Sequence, residues 1–284
     1  MPHPRHTMRH LLAILLLFLF GCGRAPQAPA RLRVLVTIAP QAEAVRRICG
    51  PDADVTVLLP PGMSPESWSP DARAVAAIGD ARLYLTIGVP CEAALVPKLR
   101  AAFPNLQIVD GRQGMELRYF TPGDREPDPH VWLSPLNLAT FAANARAALQ
   151  PLDRAHAAAF RQRAEEYIFE LAALDEKIER QLKPLAGRTV LTYHPAYGYF
   201  LDRYGIKQLS VEEEGKEPTG AHLAAIAETA RREKLAVLYA APQTPAHPLE
   251  AFCREARCRP VIVDPLPDPV SQGLQRLADA LLAP

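Results

Sequence analysis

Residues 152–182 contain neither glycine nor proline, in a chain of 284 residues that carries 29 prolines elsewhere. Ala, Glu, Arg, Leu and Gln dominate the stretch. Its apolar residues recur at Phe160, Ala164, Tyr167, Leu171, Leu174 and Ile178, the three-to-four spacing of one helical face. A single helix over this range would be about 45 Å long at ~1.5 Å per residue, enough to cross a whole protein. It is either a large surface helix of one domain or a rigid strut between two.

The flanks have a common plan. Before the stretch, strand-like runs at 32–38, 54–59, 82–87 and 107–110 alternate with helix-like segments at 41–48, 71–78 and 92–102; residues 111–129 are loop-like and 136–149 have helical periodicity. After it, runs at 189–192, 206–211, 236–239 and 259–263 alternate with helical segments at 197–204, 221–234, 248–256 and 271–282. Strands alternating with helices predict parallel sheets covered on both faces. The expected fold is α/β: an N-terminal lobe over 32–150 and a C-terminal lobe over 184–284, each with a parallel sheet, joined by one long rigid helix over 151–183. The two halves match in plan, not in residue identity.

A formal net charge of +1 with no basic stripe argues against a nucleic-acid partner. Arg5 and Arg9 precede an apolar run over 11–20, too short to span a bilayer. Residues 1–21 therefore read as a secretory signal peptide. Leu19-Phe20-Gly21-Cys22 resembles a bacterial lipoprotein cleavage box, with Cys22 the lipidated first residue and the Ala- and Pro-rich segment 22–31 a tether to the membrane. Ordinary secretion is the alternative, and Met8 is an alternative start. Removing the leader takes two arginines and no acid, so the formal charge moves from +1 to −1. The expected location is extracytoplasmic, where disulfides form. Cys253 and Cys258 bracket a short helix-to-strand loop and are expected to pair; Cys49 and Cys91 are expected to be free, buried thiols.

Four positions bring metal-ligating side chains to loops or strand ends: Glu66, in Pro60-Pro61-Gly62-Met63-Ser64-Pro65-Glu66; His130, in Asp128-Pro129-His130-Val131-Trp132; His194, in Thr192-Tyr193-His194-Pro195; and Asp264, in Val263-Asp264-Pro265-Leu266. Ligands of open α/β sheets bind beyond the carboxyl ends of the strands. Two residues from each half would meet in an interdomain cleft, and two imidazoles with two carboxylates suit a first-row divalent ion. Singly, each has an ordinary reading as a loop histidine, a solvated acid or, for Asp264, a turn residue. A zinc hydrolase is one rival, although the chain has no His-Glu-x-x-His pair and no Gly-x-Ser-x-Gly elbow. An envelope adhesin is another, with no repeat to argue for it.

Together with Val36-Thr37-Ile38-Ala39-Pro40 and Gly215-Lys216-Glu217-Pro218, these motifs in this order resemble the cluster A-I solute-binding proteins of zinc and manganese ABC importers. That group includes zinc-uptake, treponemal and pneumococcal metal-binding lipoproteins. The resemblance covers nearly the whole mature chain. It implies two α/β lobes, a long connecting helix, one metal between the lobes and delivery to an ABC transporter permease rather than catalysis, with the chain acting as a monomer. It assigns His130, His194 and Asp264 as ligands at family positions. Glu66 stands where the family usually has His, so either Glu66 ligates or water completes a three-ligand shell. His194 at the third position favours zinc as cargo, while the overall count of two imidazoles and two carboxylates also permits manganese or iron. Residues 111–129 carry no histidine, so the His-rich loop of many zinc relatives is missing there.

Overall fold

The computed structural model describes residues 31–283 except 72–74, 76, 77, 80, 122 and 214–217. The leader, Cys22 and its tether, most of the helix expected over 71–78, and Gly215, Lys216 and Glu217 lie outside the described residues. The first sheet comprises β1 (Leu32–Val36), β2 (Ala53–Val57), β3 (Leu83–Thr86) and β4 (Gln107–Asp110), and the second β5 (Thr189–Thr192), β6 (Lys207–Ser210), β7 (Val237–Ala240) and β8 (Arg259–Ile262). Among the described residues the helices are α1 (Ala39–Cys49), α2 (Pro90–Ala102), α3 (Pro135–Leu149), α4 (Ala157–Leu182), α5 (Gly198–Arg203), α6 (Gly220–Arg232), α7 (Ala246–Ala256) and α8 (Val270–Leu282).

Both sheets are parallel, ordered β2-β1-β3-β4 and β6-β5-β7-β8. The central strands are buried on both faces, which is why 34–36 and 83–85 are unbroken apolar runs rather than alternating ones. Each sheet reverses its winding direction beside its first strand. A crevice therefore opens at the carboxyl ends of β1 and β5, and the two crevices lie in the two-lobed α/β fold that the sequence predicts.

The long helix α4 starts at Ala157, later than expected. Pro151 and two turns that close on the Leu149 carbonyl end α3 first, and Asp153 accepts the His156 backbone N–H at 3.3 Å just before α4 begins. Its 26 residues extend for about 39 Å. Of the predicted apolar face, Phe160, Ala164, Tyr167, Leu171 and Ile178 are buried and Leu174 is partly buried, with α4 packed against α1, α3 and α8. Asp175 on the same face is buried too, and satisfied: Arg203 donates to it at 2.6 and 3.1 Å and the Tyr204 hydroxyl at 3.0 Å. The helix thus binds the second half through α5 as well as the first through α1 and α3.

The last helix, α8, packs on α4 and α1 and also meets the second sheet, where the Tyr239 hydroxyl of β7 donates to the Ala280 carbonyl at 3.0 Å. Ser271 donates to Glu43 through Oγ at 2.6 Å and through its backbone N–H at 2.9 Å, and Arg46 pairs with Asp268 at 3.0 Å. Leu32–Pro284 is accordingly one compact unit.

The cysteines need one correction. Cys49 and Cys91 are buried thiols as expected, but Cys253 and Cys258 are thiols as well, not a disulfide. Helix α7 ends in a left-handed Arg257, and the Cys258 N–H bonds the Cys253 carbonyl at 3.0 Å. This is the Schellman closure, whose flanking positions normally make an apolar contact. The two cysteines fill those positions. Among the described residues no helix is long and apolar enough to cross a membrane.

Candidate metal centre

Glu66 lies in the loop after β2. That loop first continues the ladder, with the Leu58 and Leu59 N–H groups on the Val36 and Thr37 carbonyls, then turns at Gly62, whose φ of +79° favours glycine. The Glu66 N–H bonds Ser64 Oγ at 3.2 Å, and the Pro65 carbonyl accepts the Cys91 N–H at the start of α2. His130 leads into a single 3-10 turn, Val131–Leu133, from which the Trp132 indole donates to the Pro265 carbonyl at 2.6 Å. This contact ties the His130 loop to the segment following β8. His194 sits two residues beyond β5, where the Tyr193 N–H continues the ladder onto Tyr239.

These three side chains meet. One ligand atom from each of Glu66, His130 and His194 lies within 4.8 Å of the other two. The His130 and His194 Nε2 atoms are 3.3 Å apart, and Glu66 Oε1 is 2.9 Å from His194 Nε2 and 3.7 Å from His130 Nε2. In a tetrahedral zinc shell, bonds of about 2.0–2.2 Å put neighbouring donors about 3.3 Å apart. The three edges bracket that value, so the donors fit a zinc-sized ion.

Each imidazole is oriented from behind. His130 Nδ1 donates to Asp128 Oδ1 at 2.7 Å, and His194 Nδ1 donates to Glu212 Oε2 at 2.7 Å. Both rings therefore turn Nε2 toward the centre, the tautomer and orientation that a metal-ligating histidine needs. Burial works against charge on His194, but the hydrogen bonds to Glu212 and Glu66 outweigh it and raise its pKa to about 9. Burial likewise opposes ionisation of Glu66, and the His194 hydrogen bond and the two histidines overcome it, so Glu66 is held below the ordinary carboxylate range. Asp128, fully buried, is also held low, burial being outweighed by His130 and Arg118.

The fourth expected ligand is not brought in with the others. Asp264 is exposed and its Oδ1 accepts the Leu266 N–H at 2.8 Å, an Asx-type turn. It remains beside the site, since Pro265 and Leu266 line the same cavity of about 170 Å³ as Glu66, His130, His194 and Glu212. A larger groove of about 910 Å³ runs from Glu66 along α2 and the 120–129 loop; its lining includes no imidazole, so the smaller cavity is the candidate centre.

Asp128 and Glu212 were not picked out from the sequence. Asp128 is visible in retrospect as the carboxylate two residues before His130. Glu212 follows from register: Thr192 pairs with Ser210, so the residues two beyond each, His194 and Glu212, emerge side by side.

Comparison with known proteins gives concordant matches. The model of the family "Zinc-uptake complex component A periplasmic" (ZnuA) matches residues 34–280. The chain is 26% identical over 272 residues to the zinc-binding lipoprotein AdcA of Streptococcus pneumoniae, covering 90% of this chain and 54% of AdcA. It thus spans about half the length of these streptococcal relatives. It is 28% identical over 232 residues to the high-affinity zinc uptake system protein ZnuA of Bacillus subtilis, covering 76% of this chain and 73% of that protein. A solved structure of a zinc-bound ZnuA deletion mutant superposes with a TM-score of 0.83 at 28% identity, over 88% of this chain and 96% of the other.

Proposed function

The chain belongs to the zinc-uptake complex component A family, and from that premise we propose that it captures a divalent transition metal, zinc, between its two lobes outside the cytoplasm and delivers it to the permease of an ABC importer. The observation that carries the reading is the convergence of Glu66, His130 and His194 with both Nδ1 atoms already held by carboxylates. Two imidazoles in a set of three donors favour zinc over manganese, which prefers oxygen ligands and binds more weakly at almost any nitrogen site. Asp264 supplies the fourth donor by turning its carboxylate from the Leu266 N–H into the cavity. The chain acts as a monomer, held at the membrane by a lipid on Cys22 after removal of residues 1–21.

The role is binding rather than catalysis. A hydrolytic zinc needs a free general base beside its open position, whereas the acids behind this centre, Asp128 and Glu212, are committed to imidazole Nδ1 atoms. The relatives' names are likewise those of zinc-binding and uptake proteins.

The test is metal stoichiometry. The soluble region from Leu32 onward is stripped, exposed separately to zinc and to manganese, desalted and assayed for metal per chain, with His194→Ala alongside. The expected result is one zinc per chain, lost in the variant, and little retained manganese. A wild-type protein that retains no zinc refutes the reading.

A further inference from the structure

The network behind His130 does not end at Asp128. Asp128 divides its two oxygens: Oδ1 accepts the His130 ring Nδ1–H at 2.7 Å and the His130 backbone N–H at 3.0 Å, and Oδ2 accepts Arg118 Nη1 at 2.5 Å. Arg118 belongs to the 111–129 loop of the first lobe, where its carbonyl accepts the Asp128 N–H at 2.9 Å, and it also reaches α5 of the second. Its Nε donates to Asp202 at 2.9 Å, its backbone N–H donates to the Tyr199 hydroxyl at 3.0 Å, and its guanidinium lies 5.8 Å from the Tyr199 ring centre. The Tyr199 hydroxyl in turn donates to the Asp128 carbonyl at 3.1 Å.

An independent observation points to the same contact. Gly198 opens α5, and a Cβ built there would lie 1.8 Å from Arg118 Nη1 and 2.2 Å from Cζ. Gly198 is not in the left-handed region, so the space taken by the guanidinium, rather than backbone conformation, is what requires glycine. His194 lies four residues before Gly198 on the same β5–α5 connection. The segment that brings one imidazole to the centre therefore also brings the receptor for Arg118.

We propose that Arg118 is a positioning residue that couples the apposition of the two lobes to the orientation of the metal-ligating His130, through Asp128. The inference rests on the metal-capture reading above. Arginine is needed because its planar fork sends Nε to one carboxylate and Nη1 to another, which a lysine ammonium cannot reproduce. With Asp128 anchored on both oxygens, the His130 ring is fixed before metal arrives. Without Arg118, one oxygen of a buried carboxylate is unpaired and free to turn away from the ring.

The experiment measures zinc affinity by chelator competition, the visible spectrum of the cobalt(II)-loaded protein, and the unfolding midpoint of the metal-free protein, for wild type, Arg118→Gln, Arg118→Lys, Gly198→Ala and the Arg118→Gln/Gly198→Ala double variant. Loss of such a supporting group weakens metal binding about 10–100-fold. Arg118→Gln is expected to fall in that range with an altered cobalt spectrum, and Arg118→Lys to recover part of the loss. Gly198→Ala changes no charge and meets only the movable end of a side chain, so it folds and is expected to reproduce the Arg118→Gln defect. The double variant should lose little more than either alone, because both act on one contact. Wild-type affinity and cobalt spectrum in Arg118→Gln or Gly198→Ala, or fully additive losses, would overturn the proposal, as would a lower midpoint with metal binding unmoved, the signature of a merely structural role. If wild type itself retains no zinc, it is the capture reading that fails.

Discussion

A proton is the first competitor of zinc at this site. His194 is raised to about 9 because, against the opposing effect of burial, its two ring nitrogens face Glu212 and Glu66 at 2.7 and 2.9 Å. Zinc needs the Nε2 lone pair, so binding must expel that proton. At pH 7, two units below a pKa of about 9, roughly one chain in a hundred has the lone pair free. The apparent affinity is then about 100-fold below its high-pH limit. Glu66, held low, stays ionised throughout this range and adds nothing to the slope. Chelator-competition titrations between pH 6.5 and 8.5 should show zinc affinity rising about tenfold per pH unit. Calorimetry in two buffers of different ionisation heat should show about one proton released per zinc near neutrality. An affinity that changes less than about twofold over those two units, or a binding heat independent of buffer, would refute the assignment of the proton to His194. The stability of the metal-free protein runs the other way. With its folded pKa above the ordinary 6.5, His194 stabilises the folded state fully below pH 6.5, and that contribution is lost as pH rises through about 9. The midpoint of the metal-free protein should therefore fall across this window while zinc protection grows.

Glu212→Gln keeps an acceptor for His194 Nδ1 but removes its charge. At pH 9 it should weaken zinc binding about 10–100-fold, and because His194 then loses its proton more easily, the pH slope between 7.5 and 9 should flatten; an unchanged slope removes Glu212 from the account. Asp264→Asn should weaken zinc binding about tenfold while leaving one zinc per chain; a wild-type dissociation constant would give the fourth position to water. Phe160→Ala, which empties a fully buried site on α4, should destabilise the metal-free protein by about 3–5 kcal/mol in urea unfolding, and a loss under about 1 kcal/mol would contradict the role of α4 as the packed spine. Because Glu66 already pairs with His194 across the lobes without metal, small-angle scattering of the metal-free and zinc-loaded forms should nearly superimpose, and a marked contraction on loading would contradict a preformed site.

What could be read in advance follows the range of the interactions that specify each feature. The strands β4 and β5 fall on the residues expected, because their apolar runs are closed by glycine or histidine-proline turns at known offsets. Helix α8 was visible as a helix, and its stripe of Val270, Leu274, Leu277 and Leu281 required a buried face. Nothing in that stripe says which surface it covers: α8 packs mainly on α4 and α1 and also meets the second sheet, where the Tyr239 hydroxyl donates to the Ala280 carbonyl at 3.0 Å. The site divides in the same way. Strand ends pointed to Glu66 and His194 and a loop to His130, and these three meet, whereas the choice Asp264 makes between a ligand's role and its own Leu266 N–H is a contest between two short-range contacts that spacing cannot decide. Cys253 and Cys258 were expected to form a disulfide and are free thiols at a helix end, whose closure depends on the left-handed Arg257, a residue with no turn preference of its own.

Glu66 alters the electrostatics of the centre in a way a neutral ligand would not. With His194 protonated, the carboxylate bridges the lobes as an ion pair that is three-tenths exposed on one side and largely buried on the other. The metal-free form is therefore closed by charge where a histidine at position 66 would offer only a third imidazole. Zinc then exchanges one proton for a dication between the same side chains, adding one positive charge in a space bounded by Glu66, Asp128 and Glu212, with Arg118 already balancing Asp128. Those three carboxylates and one guanidinium sum to two negative charges and balance that dication, before Asp264 adds its own on turning in. The exchange therefore changes the charge at the Glu66–His194 bridge. Acid reverses the exchange at the same atoms, because the proton that zinc displaced from His194 returns to a site that both Glu66 and Glu212 favour.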